Sequence, residues 1–519
     1  MNQPTNENAI PARATRREWI GLAVLLLAAL VYAMDLTVLN LAIPRISTEL
    51  QPTSAQLLWI LDIYGFLVAG LLITMGTLGD RIGRRKLLLG GAVGFAIASL
   101  FAAFSTSADM LIASRALMGI FGATIAPSTL SLIFTMFLDP KQRTTAIGFW
   151  IGAYSAGSAI GPVVGGILLE FFWWGSVFLI GVPVMALLLI LGPRTLPEYR
   201  DPNAERLHVR SAAMSLVAIL AVVYGLKEIA QGAIGVVPVL AIVGGIVLGI
   251  VFVRTQLRLA SPIIDVRLFR IRAFSASLGT YLLGIFVVVG YFLFIGQYLQ
   301  LVLGLSPLVA ALWSLPSAIG FIVGSVVAPR IIHRFRPSII MGAGMAVAAV
   351  GAVLLLGLGL DSGSGLFLIV AASVVMSLGL APVITLATEL IVGSAPPEQA
   401  GAATGISETS GELGGALGIA ILGSLGTAVY RSDVTASLPA GISAEIAEAA
   451  RDTLGGAIAI AQTLPEALGA AVIAAAQASF VDAIHVVAAI SVVGAVLTAI
   501  AAAVALRTVP ARSEPPAGD

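Results

Sequence analysis

The chain alternates between long apolar stretches and short polar segments rich in arginine. Each apolar stretch has roughly 20 residues, enough to cross the hydrocarbon core of a bilayer as an α-helix. The pattern therefore predicts an all-α polytopic membrane protein with fourteen spans. They lie near 19–43, 57–79, 87–105, 111–137, 144–168, 173–193, 211–230, 235–255, 274–300, 307–328, 338–360, 365–392, 401–428 and 479–506.

The composition supports a membrane protein and excludes several other classes. Of the 519 residues 58% are hydrophobic and 11% charged, whereas a soluble domain has about 45–50% apolar and about 25% charged residues. The chain has no cysteine and three histidines, all in predicted inner loops or helix ends, and it carries no Ser–His–Asp arrangement. We therefore expect neither an enzyme nor a metal site, and no cofactor. The net charge of +1 gives no indication of a nucleic-acid partner.

The basic residues orient the predicted spans. The outer loops of the fourteen-span layout contain Arg45, Lys227, Arg431 and Arg451, and one span contains Arg115. Every other Lys and Arg lies on the inner side, as the positive-inside rule requires. Both termini are therefore expected in the cytoplasm, because the number of spans is even.

Two six-helix bundles and an inserted helix pair account for fourteen spans, since many transporters are built from two related halves. The pair at 211–255 lies between two basic inner loops and is expected to pack peripherally. The predicted parts are a cytoplasmic tail 1–18, an N-terminal bundle 19–193, inner loops with the inserted pair 194–273, a C-terminal bundle 274–506, and a cytoplasmic tail 507–519.

The Ala-rich segment 429–478 does not fit a span, because seven charged residues are scattered through it. Its periodic apolar positions favour two short amphipathic helices. The layout places the segment outside, where we expect a helical hairpin against the outer mouth; a disordered spacer is the alternative.

Four acidic residues and one basic residue lie well inside predicted spans, where charge is costly and marks functional sites. The acids are Asp35, Asp62, Glu408 and Glu412, and the base is Arg115. Because the acids outnumber the base, some carboxyl groups must hold a proton or a cation must be present. This excess of interior negative charge is what a protein that exchanges protons for cations requires.

Glu408 and Glu412 are four residues apart and therefore share one face of a helix. Two carboxyl groups so close titrate as a coupled pair, so that one can carry the exchanged proton while the other meets the cation. The alternative is that both only pair with polar groups across the bundle. Glu389 at the inner end of its span is interpreted as a rim charge.

Aromatic side chains lie near the first two acids. Tyr32 is one turn from Asp35, and Trp59 and Tyr64 flank Asp62. Ring faces attract cations and offer apolar area, so this combination suits a flat lipophilic cation. Trp59 is equally explained as an anchor at the membrane interface. Arg115 is expected to pair with Asp35 and to tune its charge.

Two glycine-containing motifs are candidates for conformational gating. The first is the short basic loop containing Gly76, Asp80, Arg81, Gly83 and Arg84, in which Gly83 permits a tight turn and Asp80 can form ion pairs at the inner mouth. An ordinary topogenic loop is the alternative. The second surrounds Gly161 and Pro162, where the proline removes one helical hydrogen bond and the glycines permit close packing.

Together these motifs resemble the fourteen-span drug:proton antiporters of the major facilitator superfamily. The sequence around Trp59, Asp62 and Tyr64 and the Glu408/Glu412 pair are most similar to the QacA-type quaternary-ammonium exporters, although Met118 stands where that family often has glutamine. The resemblance implies a multi-pass protein of the bacterial inner membrane whose substrates are lipophilic mono- and dicationic drugs, dyes and biocides. It implies proton-driven export, proton and substrate roles for Asp35, Asp62, Glu408 and Glu412, and action as a monomer.

Two rival functions remain open from the sequence. One keeps the fold but exports an endogenous metabolite or a single antibiotic class. Anionic cargo would require interior arginines, and Arg115 is the one available. The other is a non-transporting membrane scaffold or receptor that uses segment 429–478, which leaves the four interior acids unexplained.

Overall fold

The computed structural model describes residues 13–200, 209–230, 235–259, 266–331, 334–394, 400–439 and 442–509, and these residues form helices and connecting turns without a strand. Short 3₁₀ or π-helical turns occupy Val266–Arg270, Tyr298–Val302, Leu355–Gly357 and Ile419–Gly423. The α-helices are α1 Arg16–Glu49, α2 Ser54–Ile82, α3 Arg84–Ala103, α4 Ala108–Gly122, α5 Ile125–Met136, α6 Pro140–Phe171, α7 Ser176–Leu179, α8 Gly181–Thr195, α9 Val209–Ala230, α10 Val236–Gln256, α11 Arg272–Gln297, α12 Pro307–Ile331, α13 Pro337–Leu354, α14 Ser362–Gly393, α15 Ala400–Gly418, α16 Ser424–Ser437, α17 Ala444–Asp452, α18 Leu454–Ala461 and α19 Glu466–Ala505.

The helix starts follow from local chemistry. Thr15 and Thr53 each form a capping box at the start of α1 and α2, which satisfies backbone N–H groups that have no partner within the helix. Gly83, with φ of 114°, separates α2 from α3. This backbone conformation strains any residue with a side chain, so the sharp turn depends on the glycine.

Thirteen described helical segments are long and apolar enough to cross a membrane, and they match thirteen of the predicted spans. At the predicted seventh span the structure has α9, whose apolar part, Arg210–Gly225, is shorter than the others. The predicted ends were often too early or too late. Helix α1 runs past Pro44 to Glu49, and the predicted fourth span is divided into α4 and α5.

The helices form two groups whose main contacts lie along two seams. We call α1–α8 the N half and α11–α19 the C half. Helix α2 packs against α15 along one seam, where Gly65 faces Ala416, and α6 packs against α12 along the other, where Gly166 faces Ala311. Helix α10 packs mainly against α9, whereas α9 itself also contacts α2 and the Ile419–Gly423 turn. The expectation that the inserted pair is peripheral is therefore correct for α10 and wrong for α9.

A group of helical segments covers the ends of α1 and α2; we call it the cap, formed by residues 430–485. The structure places two short helices here, α17 and α18, in agreement with the predicted pair. The boundaries 429 and 478 were wrong, because α16 continues to Ser437 and α19 begins at Glu466. Helix α18 packs Gly455 against Pro44 and Ser47 of α1. The disordered spacer is thus not supported.

The cap and the membrane-spanning part differ in their surface. In the described residues from 430 to 485 no large hydrophobic side chain is exposed, whereas exposed ones recur along α19 from Val486 to Val504. The 20 residues from 486 to the end of α19 measure about 30 Å at the helical rise, which equals the hydrocarbon core. Helix α19 therefore begins in the cap and enters the membrane near His485.

Ion pairs hold the cap together. Arg431 donates hydrogen bonds to Asp452 at 3.0 Å and to Glu448 at 3.3 Å, and Ser54 Oγ of α2 donates to the Asp452 carbonyl at 2.6 Å. Burial raises the pKa of the Asp452 carboxyl group above its ordinary value, and the Arg431 guanidinium partly opposes this rise. These contacts fasten the cap, which belongs to the C half, to the N half.

Residues 1–12, 201–208 and 510–519 are not among the described residues. Most of both predicted tails, and part of the loop after the N-terminal bundle, therefore lie outside the described residues. The predicted side of the membrane for each terminus stays a prediction.

Candidate transport site

Asp35 and Arg115 form a buried ion pair inside the N half. Arg115 Nη1 lies 2.6 Å from Asp35 Oδ2, and the two side chains are 7% (Asp35) and 2% (Arg115) exposed. Arg115 Nε also donates to the Ile60 carbonyl at 3.3 Å. The predicted pairing of these residues is confirmed. Because the charge of Asp35 is already balanced, Asp35 is less available to a substrate cation than the sequence suggested.

Tyr64 supports the guanidinium of this pair. The Arg115 Cζ lies 4.5 Å from the centre of the Tyr64 ring, and Tyr64 is 1% exposed. A cation over an aromatic face is stabilised by the ring electrons. The ring that was expected to meet a substrate cation therefore already holds a protein cation on one face.

Asp62 lies one helical turn before Phe66 on α2 and is 1% exposed. Phe66 packs with Val223 of α9, with Ala416 of α15 and with Ala420 of the Ile419–Gly423 turn. Residues four apart share a helix face, so Asp62 lies on the face of α2 that is covered by α9 and α15. Trp59, three residues earlier, is half-buried.

Glu408 and Glu412 lie on α15 in the C half and face the N half. The hydroxyl of Tyr32 on α1 donates to Glu412 Oε1 at 3.1 Å, a contact that crosses between the halves. Glu408 and Glu412 are half-buried. The described residues show no salt bridge to either of them, in contrast to Asp35.

A row of four aromatic rings extends from this contact into α6; the sequence interpretation named Tyr32 and Tyr64 and missed Tyr154 and Trp150. Tyr154 lies 6.0 Å from Tyr32 and 6.1 Å from Trp150, measured between ring centres, and Tyr64 lies 6.4 Å from Tyr32. Trp150 Nε1 donates to Thr129 Oγ1 at 3.0 Å, which fixes its ring. The four rings form one wall beside Glu412.

Tyr281 of α11 completes the surroundings of the glutamates. A Cβ atom added to Gly411 would lie 2.7 Å from the Tyr281 hydroxyl, so the ring packs on α15 between Glu408 and Glu412. Tyr154 and Tyr281 are within electrostatic range of both carboxyl groups. The sequence did contain a signal for Trp150 and Tyr154. The two residues are four positions apart, so they lie on the same face of a helix.

The basic loop is built as a network within the N half. Arg84 binds Asp80 through Nη2 at 2.6 Å. Arg85 donates to the Leu196 carbonyl at 2.9 Å and lies 3.5 Å from Glu198. A side chain at Gly83 would collide with the Glu198 carboxylate. The loop thus joins the end of α2 and the start of α3 to the segment that follows the end of α8.

Two other predicted gating positions of this loop have ordinary surroundings. Arg81 is exposed in the last turn of α2, and a Cβ atom at Gly76 would touch Pro127 at 3.8 Å. Their assignment to gating stays a prediction.

The second glycine motif brings α6 close to α1 and α12. Gly157 packs on the backbone of Leu30, and a side chain at Gly161 would collide with Thr37. Helix α6 continues through Pro162 from Pro140 to Phe171. The predicted close packing is therefore present, and it makes α6 part of the wall that carries Trp150 and Tyr154.

Asp482 and His485 at the outer part of α19 lie away from the glutamates. His485 Nδ1 lies 3.7 Å from Asp482, and its Nε2 contacts the Leu358 carbonyl at 2.9 Å, as an interface pair would. Within the described residues, no three His, Cys, Asp or Glu side chains are grouped so as to hold a metal.

The fold, the interior charges and the contact between two helical halves define a membrane transporter. Residues 25–419 match the family model of the Major Facilitator Superfamily, and the chain belongs to this family.

Its similar relatives include the multidrug efflux pump LfrA of Mycolicibacterium smegmatis, which is 43% identical over 95% of this chain and 96% of that protein. The methyl viologen resistance protein SmvA of Salmonella typhimurium is 36% identical over 90% of this chain and 93% of that protein. Among solved structures, a bacterial homologue of the lysosomal transporter Spinster matches with a TM-score of 0.67 at 18% identity, covering 96% of this chain and all of that one.

Proposed function

We propose that this chain is a proton-coupled antiporter of the bacterial inner membrane that exports lipophilic mono- and dicationic drugs, dyes and biocides. In this proposal it has fourteen spans with α9 as the seventh, both termini are cytoplasmic, and it works as a monomer of the QacA type. The names of LfrA and SmvA, an efflux pump and a methyl viologen resistance protein, support the substrate class.

The observation that carries the proposal is the position of Glu412. Its carboxyl group belongs to the C half and accepts a hydrogen bond from Tyr32 of the N half. Rotation of the halves changes the surroundings of this carboxyl group directly, and alternating access requires such a rotation. A carboxyl group in this position can hold a proton in one state and a cation in the other.

The mechanism follows from charge balance. With Glu408 and Glu412 deprotonated, a lipophilic cation enters between the halves, and the rings of Tyr32, Tyr154 and Trp150 contact its apolar body. The halves then rotate, and external protons neutralise the two carboxylates. The cation loses its counter-charge and leaves to the outside.

In this mechanism Asp35 and Arg115 hold the N half in shape, and Asp62 supplies a further negative charge beside the path of the cation. The driving force is the proton gradient, without a bound cofactor. The network of Asp80, Gly83 and Arg84 gates the inner mouth by forming and breaking its ion pairs as the halves move.

The test is ethidium efflux from proteoliposomes under an imposed pH gradient. The proposal predicts efflux that stops with a protonophore and falls at least tenfold in Glu412→Gln, because an amide cannot exchange the proton. The matched control is Glu445→Gln, an exposed residue of the cap, which retains wild-type efflux. Full gradient-driven efflux in Glu412→Gln would contradict the proposal.

A further inference from the structure

Helix α9 covers the seam between α2 and α15, where those two helices also pack directly on each other. On one side it contacts α2, where Leu216 packs against Gly70. On the other side its residues Ile219, Leu220 and Val223 pack with Ala416 and Ala420 of the C half. The other seam, between α6 and α12, has direct packing of Gly166 on Ala311. Both seams are therefore closed by direct packing of the halves, and the seam between α2 and α15 is in addition covered by α9.

The closure at α9 lies beside the acidic residues. Phe66 belongs to the same small buried cluster as Val223 and Ala416. Asp62 is one turn before Phe66, and Glu412 is one turn before Ala416. This cluster is separate from the main core and is made of a few apolar side chains. A small apolar contact therefore joins α9 to the two helices that carry these carboxyl groups.

The far side of α9 faces α10 and lipid. Helix α10 exposes Val239, Val243, Ile246 and Ile250 among other large apolar residues, as a helix in contact with lipid tails does. Gly245 packs closely on α9 at Val222. The pair α9–α10 thus lies on the outside of the seam between α2 and α15, with α10 towards the lipid.

We propose that α9 is a lateral gate: lipophilic cations enter the acidic site from the bilayer by passing between α9 and α2, and α9 closes this path afterwards. The inference rests on the proposed function. Leu216 lies seven residues from the start of α9, about 10 Å along the helix. Under the predicted orientation this places the gate in the inner leaflet, where a lipophilic cation from the cytoplasm accumulates.

The chain offers a direct test because it contains no cysteine. A Cβ atom at Gly70 would lie 3.5 Å from the Cβ of Leu216, within the range of a disulfide. The double variant Gly70→Cys/Leu216→Cys therefore ties α9 to α2. The matched control is Ala218→Cys/Gly249→Cys, with a corresponding separation of 4.0 Å, which ties α9 to α10 and leaves α2 free.

Efflux of two cations is measured in proteoliposomes containing oxidised or reduced full-length protein. One cation is trimethylammonium-diphenylhexatriene, which partitions into the bilayer, and the other is methyl viologen, which stays in water. The gate predicts that oxidation of Gly70→Cys/Leu216→Cys lowers efflux of the membrane-bound dye at least tenfold and that dithiothreitol restores it. After oxidation, methyl viologen efflux by this variant stays within twofold of its rate in the reduced protein. The control variant exports both cations at rates within twofold of those of its reduced form.

The other outcomes count against the gate. Unchanged dye efflux in the fully crosslinked variant shows that α9 does not separate from α2. An equal loss of efflux for both cations shows that α9 moves together with the rotating halves and does not form a separate entrance for the membrane-bound dye. If the cysteine-free parent transports neither cation, the proposed function itself fails, which is a result independent of the crosslinks.

Discussion

Asp35 in the N half and Glu412 in the C half have different partners. In the N half Asp35 is bound by Arg115 at 2.6 Å and both side chains are buried. In the C half Glu412 receives a neutral hydroxyl from Tyr32 at 3.1 Å. A carboxylate with a fixed guanidinium has its charge balanced in every state, whereas one that meets a hydroxyl needs a proton or a cation. In the proposed function, this difference gives Asp35 a structural role and Glu412 the role of exchanging a proton for a cation.

The largest effect is expected from Arg115→Met. The substitution leaves Asp35 buried without its cation, and breaking a buried pair from one side costs about 3–5 kcal/mol. We expect a marked fall in the unfolding temperature of the purified protein. The double variant Arg115→Met/Asp35→Leu removes both charges and should recover most of it. If the single variant unfolds at the wild-type temperature, the pair has no structural role.

A crosslink between the halves should stop transport. A Cβ atom at Gly65 of α2 would lie 3.6 Å from the Cβ of Ala416 on α15, so Gly65→Cys/Ala416→Cys can form a disulfide across the seam. Oxidation should lower ethidium efflux at least tenfold, because the halves can no longer separate there, and reduction should restore it. Transport by fully oxidised protein would show that this seam stays closed during the cycle.

The smallest effect is expected from Tyr32→Phe. It removes one hydrogen bond to Glu412 and keeps the ring, so the expected loss is about 1 kcal/mol, equal to about fivefold in ethidium affinity. Tyr291→Phe, which changes a buried tyrosine bonded to Ser373 in the C half, is the control. An effect of Tyr32→Phe no larger than that of the control would remove Tyr32 from the site.

Much of the fold is predictable from the sequence, since apolar stretches and basic loops respond directly to the bilayer. Interior acids are equally visible, because charge inside a span is rare. The pairing of Asp35 with Arg115 was predicted from the single interior base. The apolar stretches, the basic loops and the interior acids can each be seen within one stretch of chain, and the pairing over 80 residues could be predicted because one base lies well inside the spans.

The parts that were missed depend on contacts between distant stretches. Trp150 and Tyr154 join the site because the glycines of α6 bring that helix against α1, and their own sequence is ordinary for a span. The extension of α19 into the cap was missed because its first part is Ala-rich and buried by α16 and α18. The contacts of α9 with both halves have no sequence motif.

The most direct test of the central claim measures protons released when the purified protein binds ethidium in weakly buffered solution. The account predicts that the wild-type protein releases protons in proportion to the ethidium bound, and that Glu408→Gln/Glu412→Gln releases none. Asp35→Asn, where it folds, still releases them. Undiminished release from the double glutamine variant, or its loss in Asp35→Asn alone, would contradict the division of roles between the two halves.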